Sequence, residues 1–305
     1  MTKPSPKPPN DLNLITGESL KKHTYMRTGG SVSFFAEPKN SSELSQTIKW
    51  ANSNELPIKI IGGGSNLLIS DDGLSGVVIS LKHACREINF GENQVTVGSG
   101  VMLPALSKAA ANKELGGLEF AIGIPGTVGG ALCNNAGIGD GRNFGSLVKE
   151  ITVLKETVIS KIPKSELQFH YRSSNLKKCK LIILSAILNL QFRTKNECEL
   201  EMRKLLEQRQ KTQPTSSKNA GSMFKNPTNQ FAGELIEKAG CKGMSVGNAS
   251  VSNLHANFIV HDGNATTKEI ITLMELVAQK VFYNSGIKLE PEVELWSDSK
   301  KSILF

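Results

Sequence analysis

The sequence predicts an α+β protein of two lobes. Up to about residue 193 it reads as many short strands with few helices. Beyond that point two long segments carry strong helical periodicity. A chain of 305 residues also has room for about two domains of ~150 residues each. With 39% hydrophobic and 21% charged residues it can fold around a real core.

Residues 1–20 read as a flexible Pro-rich tail, with Pro4, Pro6, Pro8 and Pro9 and no apolar secretion-signal core. Lys21–Glu37 reads as strand-rich around Thr28-Gly29-Gly30. A helix is expected from Ser41 or Ser42, where Leu44, Ile48 and Ala51 fall at helical spacing. Ile58–Ile61 is a short buried strand that runs into Gly62-Gly63-Gly64-Ser65-Asn66 and a second apolar run, Leu67–Ile69. Val77–Leu81 and Gln94–Val97 read as strands, and Ala-rich Pro104–Leu115 as a helix. Gly123–Gly145 holds eight glycines, after which strands resume at Ile151–Leu154 and Leu181–Phe192. Glu197–Lys211 is a helix, with Asn196 and Glu199 as its capping box and Cys198, Met202, Leu205 and Leu206 on one face. Thr266–Ser285 is another. Thr266 and Glu269 form its box, Ile270, Leu273, Met274, Val277 and Val281 its core stripe, and Gly286 its stop. Leu289–Leu295 reads as a strand with Glu290, Glu292 and Glu294 on one face.

Composition removes several classes. Cys85, Cys133, Cys179, Cys198 and Cys241 are scattered and never spaced C-x-x-C, which argues against a disulfide framework or zinc knuckle. The five histidines lack metal-ligand spacing, so no metal is expected. The longest apolar stretch, near Leu181–Leu190, is about half of the ~20 residues a membrane helix needs. A cytoplasmic protein with no membrane partner is expected. The formal charge of +8 is concentrated: twelve basic residues face four acidic ones between Arg172 and Lys225, so this segment carries the whole excess. A nucleic-acid binder or a pocket for a polyanionic small molecule would both do this. The segment lacks the interleaved aromatics of single-strand binders, so no nucleic-acid partner is expected.

Five clusters can carry chemistry. The loop Gly62–Asn66 can turn backbone N–H groups inward as an anion nest, or be a plain turn; it matches neither a Walker loop nor a Rossmann fingerprint. Ile122-Gly123-Ile124-Pro125-Gly126-Thr127-Val128-Gly129-Gly130 is too apolar for an ordinary linker and suits close ligand approach. Two such loops fit a dinucleotide. Tyr171-Arg172 can fork a carboxylate, or leave Arg172 a surface charge. In Gly221-Ser222-Met223-Phe224-Lys225-Asn226-Pro227, Ser222 can give or take a proton and Lys225 suits a diphosphate. Glu292 lies on the acidic strand face, where a solvated edge is the alternative. Gly243-Met244-Ser245-Val246-Gly247 mimics a hydrolase elbow, but Ser250–Val260 reads as strand rather than the required helix.

At these residues the chain resembles the bacterial UDP-N-acetylenolpyruvoylglucosamine reductase (UDP-N-acetylmuramate dehydrogenase) family, from about Lys22 to Leu295. His23-Thr24-Tyr25-Met26-Arg27-Thr28-Gly29-Gly30 is similar to the family's opening motif, with Tyr25-Met26 in place of Ser-Phe. The two Gly-rich loops are similar to its flavin loops. Tyr171-Arg172-Ser173-Ser174, Gln213-Pro214, Gly221–Pro227 and Pro291-Glu292-Val293 are similar to its substrate motifs. Asn134–Asp140 is an altered version of the usual Asn-Ala-Gly-Ala-Tyr-Gly. No Tyr-bearing insertion follows Tyr171, as in the shorter, second-type form.

The resemblance implies a two-subdomain FAD-binding lobe of the vanillyl-alcohol-oxidase/PCMH type over residues 27–193, with subdomains near 21–80 and 81–193. It implies a substrate-binding α+β domain over 200–290, and a returning strand and tail over 291–305. It implies NADPH-dependent, FAD-mediated reduction of UDP-N-acetylglucosamine enolpyruvate in peptidoglycan synthesis, by a monomer. The implied catalytic residues are Arg172, Ser222 as proton donor, and Glu292. Tyr171, Lys225 and Asn226 would bind substrate. Arg27, Gly62, Gly63, Gly64, Ser65, Asn66, Leu67, Gly123, Ile124, Pro125, Gly126, Thr127, Gly129 and Gly130 would bind FAD. A flavin oxidase or dehydrogenase of another substrate on the same fold is the alternative.

Overall fold

The computed structural model describes residues 6–9, 12–155, 158–178 and 181–299. Pro4, Cys179 and Lys300–Phe305 lie outside them. The helices are α1 (Ser41–Ser53), α2 (Leu103–Ala111), α3 (Val128–Asn134), α4 (Lys195–Thr212), α5 (Ala232–Lys238) and α6 (Thr267–Ser285). The chain divides into two compact units. The first comprises Met1–Glu18, Ser33–Gly63 and Ser75–Leu206; the second comprises Ser19–Val32, Gly64–Leu74 and Glu207–Phe305.

In the first unit a four-stranded sheet runs in the order Leu14–Ser19, Ser31–Ala36, Leu74–Ser80, Ile58–Ile61. The last two are parallel, with Ile60 opposite Ile79. Leu44, Ile48 and Ala51 of α1 bury against Phe34, Val77 and Ile79, as their spacing predicted. Asn40 caps α1 through Glu43 N at 3.0 Å. Leu14–Ser19 is a correction to the expected tail. It is an edge strand with Gly17 at φ +66°, and its polar, Gly-broken sequence hides the alternation.

A second, antiparallel sheet runs Val158–Pro163, Val148–Lys155, Ile182–Asn189, Gln94–Gly98, Ile88–Phe90. Its Val95, Val97, Ile151, Val153 and Leu188 share a core with Leu103 and Leu106 of α2 and Val128 and Leu132 of α3. The helix expected at Pro104–Leu115 stops at Ala111, and Leu115–Gly116 pairs with Gln191–Phe192. The cap of α4 is also corrected. Thr194 Oγ1 accepts from Glu197 N at 3.4 Å, and Glu197 Oε2 accepts from Thr194 N at 3.0 Å. Lys195 is already helical, so Asn196 cannot be the cap. Cys198 and Met202 are buried, whereas Leu206 is exposed, so the apolar face is narrower than expected. Burial and the neighbouring Glu119 push the Cys198 thiol up to about 12.

In the second unit α6 packs its predicted stripe on Met26, Leu68, Met223, Phe224, Ile236 and Val251. The Thr266–Glu269 capping box is formed, and Gly286 ends the helix at φ +69°. The carboxylate of Asp71 accepts from Thr267 N at 3.0 Å and Lys268 N at 2.9 Å, tying α6 to the chain after Leu67–Ile69. Leu20–His23 is a 3-10 turn, so the strand expected within Lys21–Glu37 is only Ser31–Ala36. A three-stranded sheet also belongs to this unit (Ser245–Val246, Ala249–Val251, Ile259–Val260); Ser245 lies in a hairpin and is followed by a strand, not by the helix an elbow requires. The strand expected at Leu289–Leu295 shrinks to Glu294–Trp296, parallel to Leu67–Ile69. Upstream, Pro291 bridges Phe224 and lacks the N–H that a continuous ladder needs.

Candidate active site

The two Gly-rich loops meet in the first unit. A Cβ on Gly62 would stand 2.5 Å from Thr127 Oγ1, and one on Gly63 would stand 3.3 Å from Gly126 Cα. A Cβ on Gly129 would lie 3.2 Å from Ser99 Cβ. The approach is therefore one that glycine backbones permit. The second loop is fixed by Leu103 N to Gly126 O at 2.8 Å, Val128 N to Val101 O at 2.9 Å and Gly129 N to Ser99 O at 2.8 Å. Between the loops lies a cleft of about 110 Å³, lined by Gly62, Ser99, Thr127, Gly129 and Gly130 together with Ile61, Leu81, Leu176 and Ile183. Glycine backbone together with apolar side chains suits the close approach of a phosphate ester carrying an aromatic ring. Gly123, Ile124 and Pro125 are half-buried just upstream.

The same unit carries Tyr171 and Arg172 as the two-residue turn between Phe169–His170 and Ser173–Ser174. Arg172 adopts a left-handed φ of +54°, and its guanidinium lies 5.2 Å from the centre of the Tyr171 ring. A non-glycine residue held there is a strained position of the kind that functional sites use. The hairpin is docked on the C-terminal end of α3. Asn135 Nδ2 donates to His170 O at 2.9 Å, and Ser174 Oγ donates to Cys133 O at 2.8 Å.

In the second unit the Ser222 segment lies beside the chain that precedes the last strand. Glu292 N donates to Met223 O at 2.8 Å, and Lys225 N donates to Glu290 O at 2.8 Å. Ser222 and Glu292 are both half-buried, so proton donor and carboxylate candidates sit on paired segments. Lys225 Nζ meets Glu290 Oε2 at 3.2 Å. Exposed Asn226 uses its Oδ1 to accept from Ala232 N at 3.0 Å.

The remaining predicted residues belong to the same unit. Gly64 has φ +64°, and a Cβ there would collide with the His23 carbonyl. Asn66 donates to Glu292 O at 3.1 Å, and Leu67 faces Glu294 in the parallel pair. Ser65 is half-buried between them. Arg27 has φ +59°, and its Nη1 donates to Lys22 O at 2.7 Å.

Sequence reasoning missed three residues: Ser99 in the cleft, Asn135 behind the Arg172 hairpin, and Asn257 behind the Ser222 segment. The only signal was for Asn135, within the altered Asn134–Asp140 stretch. The basic segment is dispersed: Arg203, Lys204 and Lys211 are exposed on α4, while Arg193 pairs with buried Glu119 at 3.0 Å. No metal-ligating group of three or more appears among the described residues.

Known proteins similar to this chain in sequence fall in one family. The family model for the C-terminal domain of UDP-N-acetylenolpyruvoylglucosamine reductase matches residues 213–296, and an FAD binding domain model matches residues 32–157. UDP-N-acetylenolpyruvoylglucosamine reductase 2 of Symbiobacterium thermophilum is 41% identical over 280 residues, covering 92% of this chain and 91% of its own. The Listeria monocytogenes reductase is 38% identical over 284 residues, covering 93% and 95%. The crystal structure of the Thermus caldophilus reductase matches with a TM-score of 0.79 at 33% identity, over 93% of this chain and 98% of that one.

Proposed function

The chain belongs to the UDP-N-acetylenolpyruvoylglucosamine reductase family, and from that premise we propose that it reduces UDP-N-acetylglucosamine enolpyruvate to UDP-N-acetylmuramate with NADPH as electron source. It is an FAD-dependent oxidoreductase of peptidoglycan synthesis. The observation that carries the reading is the pairing of the Ser222 and Glu292 segments in one unit, together with a glycine-lined cleft in the other. FAD, when bound, supplies hydride transfer between NADPH and the vinyl carbon.

Gly62, Gly63, Gly126, Thr127, Gly129 and Gly130 would lie against the FAD diphosphate, where the lack of bulky side chains lets the cofactor approach the backbone closely. Arg27, Gly64, Ser65, Asn66, Leu67, Gly123, Ile124 and Pro125 complete the proposed cofactor contacts. The protein's own work is charge and proton placement. Arg172 forks the enolpyruvyl carboxylate and stabilises the negative charge that gathers there during reduction. Glu292 orients the opposite edge, protonated or hydrogen-bonded. Ser222 gives its hydroxyl proton to the ether-bearing carbon. A serine hydroxyl is a weak acid, but a carbanionic centre at hydrogen-bond distance is basic enough to take the proton. Tyr171, Lys225 and Asn226 bind the sugar nucleotide. For Lys225 this means exchanging the exposed Glu290 carboxylate for a diphosphate oxygen; such solvent-screened pairs are weak, at about 0–1 kcal/mol.

We place the enzyme in the cytoplasm as a monomer; no helix among the described residues is long and apolar enough to cross a membrane. Ser222→Ala tests the reading. It should leave reduction of bound FAD by NADPH intact and abolish turnover of the enolpyruvyl substrate. Equal loss of both half-reactions would refute the proton-donor role. Arg172→Lys should also be severe, because a point charge cannot fork a carboxylate.

A further inference from the structure

We propose that Asn257 is the positioning residue for Ser222, fixing where the proton donor stands relative to Glu292. The inference rests on the reading of Ser222 as donor. Asn257 is 3% exposed. Its Oδ1 accepts from Phe224 N at 3.0 Å, and its Nδ2 donates to Phe224 O at 2.8 Å. The carboxamide therefore pairs with one residue's main chain through both polar atoms. Its own carbonyl oxygen also accepts from Met223 N at 2.9 Å, and on the other side Met223 O accepts from Glu292 N at 2.8 Å. The two residues after Ser222 are thus held between Asn257 and Glu292.

The clamp is itself anchored. Asn257 N donates to His255 Nδ1 at 3.2 Å. Met223 and Phe224 are each 1% exposed, so no solvent hydrogen bond replaces a lost partner there. On the near side, Gly221 turns at φ +77° and its N–H is held by Asn219 Oδ1 at 3.0 Å. Ser222 is the residue left between these two fixtures. Of side chains this size, a carboxamide alone offers a donor and an acceptor together at neutral pH: a carboxylate lacks the donor, and leucine lacks both. A neutral carboxylic acid recovers the pattern, with its O–H facing Phe224 O and its C=O facing Phe224 N.

That recovery makes the test. Asn257→Asp, loaded with FAD near pH 6 and assayed from pH 6 to 8.5 beside the wild type, should reduce the enolpyruvyl substrate about 100-fold more slowly wherever the introduced carboxyl is ionised. That is the scale of loss expected from a misplacement of about 1 Å. Reduction of bound FAD by NADPH should stay within about twofold of the wild type across the same range. His255 and Glu292, whose ring or main chain touches the clamp, are present in both proteins, so the ratio of the two profiles removes their contribution. Asn257→Ser, which leaves room for a water, should be slow in the substrate half-reaction at every pH, and it serves as the second variant should the carboxyl variant fail to fold.

A folded Asn257→Ser with the wild-type rate of enolpyruvyl reduction, or a folded Asn257→Asp that keeps that rate at pH 8.5, overturns the inference. Parallel loss of both half-reactions overturns it too, since that marks general support of the fold. Ser222→Ala, run alongside, separates the two ideas. If it is severe while the Asn257 variants are silent, the positioning role alone fails. If it retains full substrate reduction, the reading of Ser222 fails and takes the positioning role with it.

Discussion

The carboxamide of Asn66 donates a hydrogen bond to the main-chain oxygen of Glu292 at 3.1 Å, across 226 residues of sequence. The carbonyl of Asn66 completes the bracket by accepting from Glu294 N at 3.0 Å. A residue of the first Gly-rich loop, expected from the resemblance to contact FAD, thus holds the backbone on either side of Val293 and fixes the course of the chain at Glu292. Asn66→Ala should lower stability by about 1 kcal/mol, the usual net value of such a bond. It should also slow enolpyruvyl reduction more than flavin reduction. Thermal unfolding and single-turnover kinetics check the two parts; an unchanged melting temperature with unchanged kinetics rejects the bracket.

Gly62 and Thr127 predict a coupled pair. Thr127 Oγ1 caps α3 by accepting from Gly130 N at 3.4 Å, and the same oxygen lies where a Gly62 Cβ would intrude. Gly62→Ala must push that cap aside or widen the cleft. FAD affinity should fall about tenfold, equivalent to about 1.4 kcal/mol. Thr127→Ala should weaken it less, and the double variant should cost less than the sum, because the clash needs both partners. Additive losses in FAD titrations would show that the two loops do not meet through these atoms.

Legibility in the sequence tracks how local each interaction is. Helix α6 was readable because its cap, stripe and stop all lie within a local 3.6-residue pattern: Thr266, Glu269, Ile270 through Val281, Gly286. The α4 cap was misplaced by two residues because Thr194-x-x-Glu197 and Asn196-x-x-Glu199 offer the same spacing, and only the backbone decides between them. The Gly-rich loops were visible as composition. Their contact, Gly62 against Thr127, depends on tertiary closure that no local pattern encodes. Asn257 was invisible for the same reason: its partner Phe224 is 33 residues away, and a buried Asn looks in sequence like any loop Asn.

Glu119 makes stability depend on acid. It is buried at 5% exposure and accepts from Gly117 N at 2.8 Å, Arg193 Nη1 at 3.0 Å and Cys198 Sγ at 3.2 Å. Burial pushes its carboxyl up, but these donors and the Arg193 charge outweigh burial and hold it below the usual range. A depressed folded value means that the ionised group stabilises the fold above its unfolded pKa of ~4.3, and that this stability is lost as pH falls through the folded value. Glu119→Gln should therefore be less stable than the wild type at pH 7, and the gap should close below about pH 4. Denaturant midpoints measured across that range test it; a gap that widens in acid reverses the sign and sinks the account.

Asn135 predicts how the Arg172 turn is held. Its Nδ2 donates to His170 O at 2.9 Å, its Oδ1 accepts from Gly145 N at 2.9 Å, and its backbone sits at φ +44°. Glycine keeps that backbone without strain but removes the carboxamide; alanine removes the carboxamide and adds about 1 kcal/mol of left-handed strain. Asn135→Gly and Asn135→Ala should therefore slow enolpyruvyl reduction to a similar degree, because both free the hairpin that aims Arg172, while Asn135→Ala alone melts lower. If Asn135→Gly reduces substrate at the wild-type rate, the two hydrogen bonds are dispensable and the left-handed backbone is the whole role of this residue. If Asn135→Gly is slow and Arg172→Lys is equally slow, combining them should add little further loss, since a guanidinium that is no longer aimed has little left to lose.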